Sequence, residues 1–195
     1  MFDNILLQGN RQGITPARTK AARSWYRNLA SEYNRKISPS EALKRTRPVQ
    51  KVDRIKFGYM YAFKYDPKLK KTLPYYDTFP LIFPIDFQQG HMLGINFHYL
   101  PPVLRAKLMD AIYPTVTNKK YDDTTRVQIS YSILKSASKY KAFKPTVKMY
   151  LPNHIRSQFI EIYATQWDIA LFLPTASFRK KSITQVWEDS RRKAK

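Results

Sequence analysis

The chain of 195 residues contains no cysteine. This absence excludes a disulfide framework, thiolate zinc sites, iron–sulfur clusters and cysteine nucleophiles. Only five glycines are present, and the sequence has none of the GxxxxGK[ST], GxGxxG or GxSxG patterns that mark phosphate-binding loops and serine hydrolases. Most of the motifs by which enzymes are identified are therefore missing.

Long apolar runs are also missing. Nowhere do about 18 apolar residues follow one another, as a membrane-spanning helix requires. The first ten residues, MFDNILLQGN, have only a short apolar run and no basic region ahead of it, which argues against a secretion signal. The sequence therefore predicts neither a membrane span nor secretion, and it favours a protein made and used in a cytoplasm.

Acidic residues are scarce, and this imbalance is the strongest compositional feature. Lys and Arg number 35 against 14 Asp and Glu, which gives a formal net charge of +21 and a pI near 10.1. A charge of this size would repel itself without a polyanion or an acidic partner. Nucleic acid is the commonest such partner, but charge alone leaves a membrane surface or an acidic protein lattice open.

Composition and charge divide the chain into three parts. A hydrophobic content of 43% with 14% aromatic residues predicts one globular core. We expect a basic helical N-terminal arm over residues 1–50, a globular α+β core over residues 51–178, and a basic C-terminal helix or tail over residues 179–195.

The N-terminal arm holds ten Lys or Arg residues against three acidic ones, a net charge of +7. Thr15 and Pro16 are typical of a helix start, and the pattern predicts helices over residues 17–33 and, more briefly, residues 38–47. One helix face carries Arg18, Arg23 and Arg27. That face is either a solvated surface or a polyanion contact.

The core shows strand patterns around a proline-punctuated apolar block, residues 73–102. Residues 55–65 alternate as a strand with one buried face, and Pro80 and Pro84 predict an interrupted edge strand or a bulge at residues 81–85. Because the block lacks Lys and Arg, we expect it to be the buried scaffold rather than the contact surface. The remaining predicted elements are a turn at Gln88-Gln89-Gly90, strands at residues 91–100 and 157–162, and helices from Pro101 to about residue 113, over residues 124–138 and from Thr165-Gln166 to before Pro174.

Two basic segments are candidate contact surfaces in the second half. The first interleaves Tyr140, Phe143 and Tyr150 with lysines, an arrangement in which cations hold phosphates and rings stack on bases; the alternative is a basic loop with buried aromatics. The second is the C-terminal segment, where Ile183 and Trp187 predict a helix that docks onto a partner or onto the body. The candidate contact residues are Lys135, Lys139, Lys141, Lys144, Lys148, Arg191 and Arg192.

A catalytic site is harder to find. His91, His98 and His154 lack the spacing of a metal centre. Asp66, Asp77 and Asp86 are the candidates for a divalent-metal nuclease site, and Asp77 is the one with the most distinctive surroundings. Each of these aspartates stands beside a turn or a proline, where Asp is common for backbone reasons. We therefore predict no catalytic residue, no metal and no cofactor, and keep a nuclease as the alternative.

Several blocks resemble small basic proteins of T4-like tailed bacteriophages. They are DPKLKKTLPYYDTFPLIFPI, GINFHYLPPVLRAKLMDAI, WDIALFLPTASF and QVWEDSRRK, which cover roughly residues 56–113 and 159–193. The resemblance implies a virion-associated or DNA-handling role. The protein would be a component of the tail, baseplate or neck, or would sit on packaged DNA or its ends, and it would be assembled in the host cytoplasm. It transfers no catalytic residue. The order of elements is also similar to a small, twisted, SH3-like antiparallel β-barrel or sheet with flanking helices, a fold that does not decide function.

These observations give one main hypothesis and two alternatives. The main hypothesis is a non-enzymatic structural protein of the phage particle whose basic segments anchor to DNA or to acidic neighbouring virion proteins. A nuclease-type nucleic-acid-processing protein and an RNA-binding protein of ribosomal type are the alternatives.

Overall fold

The computed structural model describes residues 50–101, 104–105, 108, 112, 120–141, 143–163, 167–172 and 175–194. The helices predicted in the N-terminal arm lie outside these residues, as do Arg18, Arg23, Arg27, Thr165 and Gln166. The described strands are β1 (Lys51–Val52), β2 (Met60–Ala62), β3 (Tyr76–Asp77), β4 (Leu81–Gln88), β5 (His91–Asn96), β6 (Val147–Tyr150), β7 (Phe159–Ile162) and β8 (Phe178–Arg179). The α-helices whose two ends both lie within the described residues are α1 (Asp123–Ala137), α2 (Trp167–Phe172) and α3 (Ile183–Lys193).

The strands form an antiparallel sheet in the order β1-β7-β2-β4-β5-β6, beside a separate pair of β3 with β8. The α+β class and the antiparallel sheet are therefore confirmed. The sheet is open: within the described residues β1 and β6 are its two edges, and they do not pair to close a barrel.

The β4–β5 hairpin follows from its turn residues. Gln88 pairs with His91, and the two residues between them, Gln89 and Gly90, have φ of 49° and 76°. Positive φ at both central positions is what the tightest hairpin turns require. The predicted turn is confirmed.

Pro84 lies inside the sheet and disturbs the register of the strand that contains it. Pro84 faces Gly94 on β5, and the register shifts between Pro84 and Asp86, so the predicted bulge is confirmed. The other alternative, an interrupted edge, does not apply, because β4 lies between β2 and β5. The bulge accommodates a residue that has no N–H to give to the ladder.

The long strand predicted over residues 55–65 is wrong in length and in burial. Gly58 has a φ of +87°, and a Cβ there would lie 2.0 Å from Cγ1 of Val127. The chain therefore enters the sheet only at Met60. From there both faces of β2 are buried: Met60 and Ala62 belong to a core shared with the helices, and Tyr61 belongs to a mainly aromatic core on the opposite face.

Helices cover one face of the sheet. Helix α1 begins at the N-cap Asp122, whose side chain accepts from the Thr125 N–H at 2.7 Å, and it buries Leu134. The helix predicted from Pro101 is helical at its described positions, of which Leu108 and Ile112 are buried. The apolar block at residues 73–102 contributes much of both cores, as predicted for a scaffold.

Three further strands differ from expectation. The strand predicted over residues 91–100 ends at Asn96, because the Asn96 side chain accepts from the His98 N–H and starts a 3₁₀ turn, Phe97–Tyr99. Strand β6 was not predicted, and strand β7 begins at Phe159 rather than at residue 157.

The C-terminal segment folds onto the body. Ser182 and Gln185 form a capping box at the start of α3. Val186 is fully buried against Tyr75 and Tyr99, and the Trp187 Nε1 donates to the carbonyl of His98 at 2.9 Å. This helix was predicted to dock onto a partner or onto the body, and in the structure it packs against the body.

Candidate nucleic-acid interface

A pocket of about 450 Å³ lies where β6, the 3₁₀ turn and α3 meet the loop before β3. We call it the tyrosine pocket. Its lining combines tyrosine rings with lysine side chains and very few acidic groups. The tyrosines and lysines that line it are Tyr65, Tyr75, Tyr76, Tyr99, Tyr150, Lys68, Lys148 and Lys193.

Buried tyrosines close the base of the pocket. Tyr99 and Tyr150 are 5% and 3% exposed. The ring centroids of Tyr65 and Tyr150 are 5.0 Å apart and nearly perpendicular, whereas those of Tyr75 and Tyr99 are 6.0 Å apart with an interplanar angle of 34°. These edge-to-face and tilted contacts stabilise the ring positions, so the pocket is preformed.

Two lysines of the pocket, Lys148 and Lys193, lie against aromatic rings. Lys148 Nζ lies 4.1 Å from the Tyr99 ring centroid, and Lys193 Nζ lies 5.8 Å from that of Tyr75. Among the described residues neither forms an ion pair with a carboxylate. Burial, together with the nearby charge of Lys193, lowers the pKa of Lys148 to about 8. The pocket thus holds Lys148 and Lys193 without an ion-pair partner among the described residues, beside a third lysine, Lys68.

The loop over residues 67–74 forms one wall. Lys180 Nζ donates to the carbonyls of Lys71 at 2.8 Å and Leu73 at 2.7 Å, which ties this loop to the residue after β8. Lys180 itself has a φ of 71°, a conformation that a non-glycine residue adopts only where its surroundings hold it. The wall is therefore fixed by a contact between segments more than a hundred residues apart.

A buried polar network lies behind the tyrosines. Asp77 Oδ2 accepts from Asn96 Nδ2 at 3.1 Å and is 2.6 Å from His98 Nδ1, and His98 Nε2 is 2.9 Å from Thr175 Oγ1. Asn96 Nδ2 also donates to the Tyr150 hydroxyl at 3.0 Å. The network therefore connects the protein interior to the base of the tyrosine pocket.

Both oxygens of Asp77 are occupied. Oδ1 accepts from the backbone N–H groups of Phe79 and Ser177 at 3.0 and 3.2 Å, and the side chain is 2% exposed. Burial raises the pKa of Asp77, but His98 and the donors outweigh it, so the pKa lies below its usual value. Burial holds the pKa of His98 below its usual value despite Asp77. The Asp77 carboxyl group and the His98 ring are therefore held together by a short hydrogen bond that is shielded from water.

Arg105 anchors the same region through the backbone. Its guanidinium donates to the carbonyls of Leu100, Leu171 and His98 at 2.8, 2.6 and 3.2 Å, and it lies 5.6 Å from the Trp187 ring. Burial lowers the pKa of Arg105 to about 9, so the group stays charged at pH 7. Arg105 and Trp187 together hold α3 against the turn that carries Tyr99.

The structure separates the contact residues predicted from the sequence. Lys135, Lys139, Lys141 and Lys144 are exposed on α1 and the turns that follow it, and Arg191 and Arg192 are exposed on α3. Only Lys148 lies in the tyrosine pocket. Their contact roles stay predictions.

The candidate nuclease aspartates do not form a common site. Asp66 pairs with Lys70 at 2.9 Å, Asp86 accepts from its neighbour Phe87, and Asp77 belongs to the buried network. In the described part of the chain no group of three or more His, Asp or Glu side chains is placed to hold a metal ion.

Sequence reasoning missed the pocket although part of its signal was present. Tyr75 and Tyr76 adjoin Asp77 in the most distinctive local sequence of the chain, and Lys148 was singled out for its charge. Nothing in the pattern joined residues 65, 75, 99, 148 and 193, which come from separate segments.

Comparison with known proteins identifies one family. The model of the family described as "Phage T4 terminal DNA protecting protein" matches residues 18–190, most of the chain. No curated protein and no solved structure matches it. The match confirms the resemblance to T4-like phage proteins.

Proposed function

Since this chain belongs to the family of the phage T4 terminal DNA protecting protein, we propose that it binds the ends of phage DNA and shields them from degradation. In this proposal it acts by occupying the end and catalyses no reaction. The observation that carries the proposal beyond the family match is the tyrosine pocket, an aromatic cavity with two unpaired ammonium groups on a protein with a formal charge of +21.

Charge supports attraction to the duplex. Proteins that neutralise phosphates with Lys and Arg release counterions from DNA and bind without sequence preference. The exposed basic residues of α3, Arg191, Arg192 and Lys193, lie on the helix that also contributes to the pocket. Phosphates of the duplex body would meet these side chains while the end lies at the pocket.

The pocket supports a preference for ends. Every base has a ring face that stacks on tyrosine, and such stacking contributes about 1–3 kcal/mol per base. Bases within a duplex have both faces covered, whereas the last base has one face free. An exonuclease that starts at a terminus would find that terminus occupied.

The carboxylates favour binding over nuclease chemistry. Asp77, the best candidate for a metal ligand, accepts four hydrogen bonds within the fold. A metal would have to compete with all of these donors, so Asp77 is better suited to holding the fold.

A place in the particle is the finer part of the proposal. A protein that occupies DNA ends would be found where an end of the packaged DNA lies, in contact with other virion proteins of the neck, tail or baseplate. This is tested by labelling the protein in intact particles and in particles that have released their DNA, and comparing how much protein is labelled in each. Equal labelling after the DNA has left would show anchoring to protein rather than to DNA.

The central experiment compares linear DNA with the same sequence closed at both ends by hairpin loops. We expect the protein to bind the linear form more tightly and to slow its digestion by a purified exonuclease. A basic protein of matched charge controls for non-specific coating. Equal binding to open and closed DNA, with no protection, would reject the proposal.

A further inference from the structure

We propose that the tyrosine pocket binds the unpaired terminal nucleotide of a DNA strand, with its 5′-phosphate between Lys148 and Lys193 and its base against the tyrosine rings. This inference deepens the proposed function and rests on it. It names the part of a DNA end that the protein recognises.

The unpaired lysines indicate an anion. Lys148 is half-buried and Lys193 is exposed, and both border the same pocket. Two ammonium groups in one pocket repel each other, and the desolvated one loses hydration that no described carboxylate replaces. A bound anion would remove both costs. The acidic lining residue is Asp77, whose oxygens are directed to donors inside the fold.

A terminal phosphate fits this charge better than an internal one. A phosphate monoester carries about −1.5 to −2 charges at pH 7, whereas an internal phosphodiester carries one. Two lysines that meet one group therefore favour the monoester at a 5′ end. Charge matching of this kind separates a strand end from the rest of the backbone.

The size of the pocket suits a small group rather than a duplex. Tyr99 and Tyr150 are buried where they line it, and the network of Asp77, Asn96 and His98 lies next to them. The volume of about 450 Å³ falls within the range of about 300–1,000 Å³ typical of small-ligand pockets.

Tyrosine accounts for the base. Aromatic faces stack on any base without sequence readout, as an end-binding protein requires. Entry of the base costs its pairing and stacking, about a few kcal/mol, and least for a base that is already single-stranded. The pocket should therefore prefer ends with a 5′ overhang over blunt ends.

The test uses hairpin duplexes with a single open end that carries a short 5′ overhang. One version ends in a 5′-phosphate and the other in a 5′-hydroxyl, and binding is followed by fluorescence anisotropy. We expect the phosphorylated end to bind at least about tenfold more tightly, since hydrogen bonds to charged groups are stronger than those between neutral groups. Lys148→Met should remove most of this preference and Lys193→Met a part of it, while Lys139→Met, which removes an exposed lysine outside the pocket, should leave it intact.

The outcomes separate the inference from the function on which it rests. Equal binding of the two ends by a protein that still prefers open to closed DNA would overturn the inference and leave the proposed function standing. A phosphate preference that survives in both Lys148→Met and Lys193→Met would overturn it as well. Loss of all preference for open ends would reject the proposed function itself.

A final arm distinguishes a strand end from a free nucleotide. Deoxyadenosine 5′-monophosphate at the concentration of the duplex should not displace it, because the nucleotide lacks the phosphates that meet the basic surface. If it displaces the duplex at that concentration, the pocket belongs to free nucleotides and the inference is overturned.

Lys193→Met keeps the test valid if Lys148→Met does not fold, since Lys193 is exposed.

Discussion

The ammonium of Lys148 lies 4.1 Å from the centre of the Tyr99 ring, inside a pocket where no described carboxylate pairs with it. A cation held against an aromatic face gains about 0.5–2 kcal/mol, yet burial opposes its charge. The contact of Lys148 with Tyr99 therefore stabilises the folded protein, whereas burial of the Lys148 charge destabilises it.

This conflict predicts a pH effect on stability. Because the pKa of Lys148 is about 8 in the folded protein and near 10.5 unfolded, the unfolded chain holds the proton more tightly. The contribution of this group to the free energy of unfolding therefore rises between about pH 8 and pH 10.5. Lys148→Met should flatten that rise and raise the melting temperature at pH 7. Thermal melts over this pH range check it, and an unchanged rise in the variant would contradict it.

The buried pair of Asp77 and His98 predicts a loss of stability in acid. His98 has a lowered pKa in the folded state, so the unfolded chain takes up the proton first as pH falls below about 6.5. The lowered pKa of Asp77 adds a further loss at more acidic pH, below its unfolded value near 3.8. Urea unfolding at pH 7.5 and 5.5 should show this decline, and His98→Gln should reduce it. His154→Gln, which removes a half-buried histidine outside the network, is the control.

Asp77→Asn should destabilise the fold by about 3–5 kcal/mol, because it removes one partner of a buried, hydrogen-bonded pair. Asp86→Asn, whose described contacts are local, should cost less than about 1 kcal/mol. Denaturant midpoints measure both. Equal midpoints for the two variants would show that the hydrogen bonds of Asp77 do not stabilise the fold.

Gly58 and Gly90 form a matched pair for backbone strain. Both have positive φ, but an added Cβ at Gly58 meets Val127 at 2.0 Å, whereas at Gly90 it meets nothing within 4 Å. Gly90→Ala should cost about 1 kcal/mol from conformation alone. Gly58→Ala should cost at least 1–3 kcal/mol more, and similar melting temperatures for the two variants would contradict the close approach.

Salt dependence should locate the basic surface that meets the duplex body. The slope of log affinity against log salt falls by about one for each phosphate contact removed. Arg191→Gln should therefore reduce the slope by about one. Lys139→Gln removes the same charge from the other predicted segment, and a reduction by that variant alone would move the contact surface to the end of α1.

Local patterns predicted the elements that are decided locally. The turn at Gln89 and Gly90, the bulge after Pro84 and the extent of α1 depend on residues close in sequence, so conformational preference is enough to find them. The strand predicted over residues 55–65 was too long, because the alternating pattern does not reveal the positive φ of Gly58. That conformation depends on packing against Val127.

The candidate site required contacts that no local pattern contains. His98 meets Asp77 and Thr175, which stand 21 and 77 residues away, and each alone is an ordinary residue of a turn or strand. Strand β6 was missed because four residues in a lysine-rich segment give too short an alternation. The family resemblance placed the protein among phage proteins but gave no residue of the pocket a role, although its blocks contain Tyr75, Tyr99 and Lys193.

The pairing of β3 with β8 has a consequence for how the protein acquires its activity. Tyr76 pairs in register with Arg179, and β1 pairs with β7 across a similar separation in sequence. Such pairings close only after long loops have been ordered, so folding is limited by the search for distant partners rather than by helix formation. The pairing of β3 with β8 positions Tyr76 and Asp77, which line the tyrosine pocket. Partly folded molecules would carry the full positive charge without the pocket, and would coat DNA without selecting its ends.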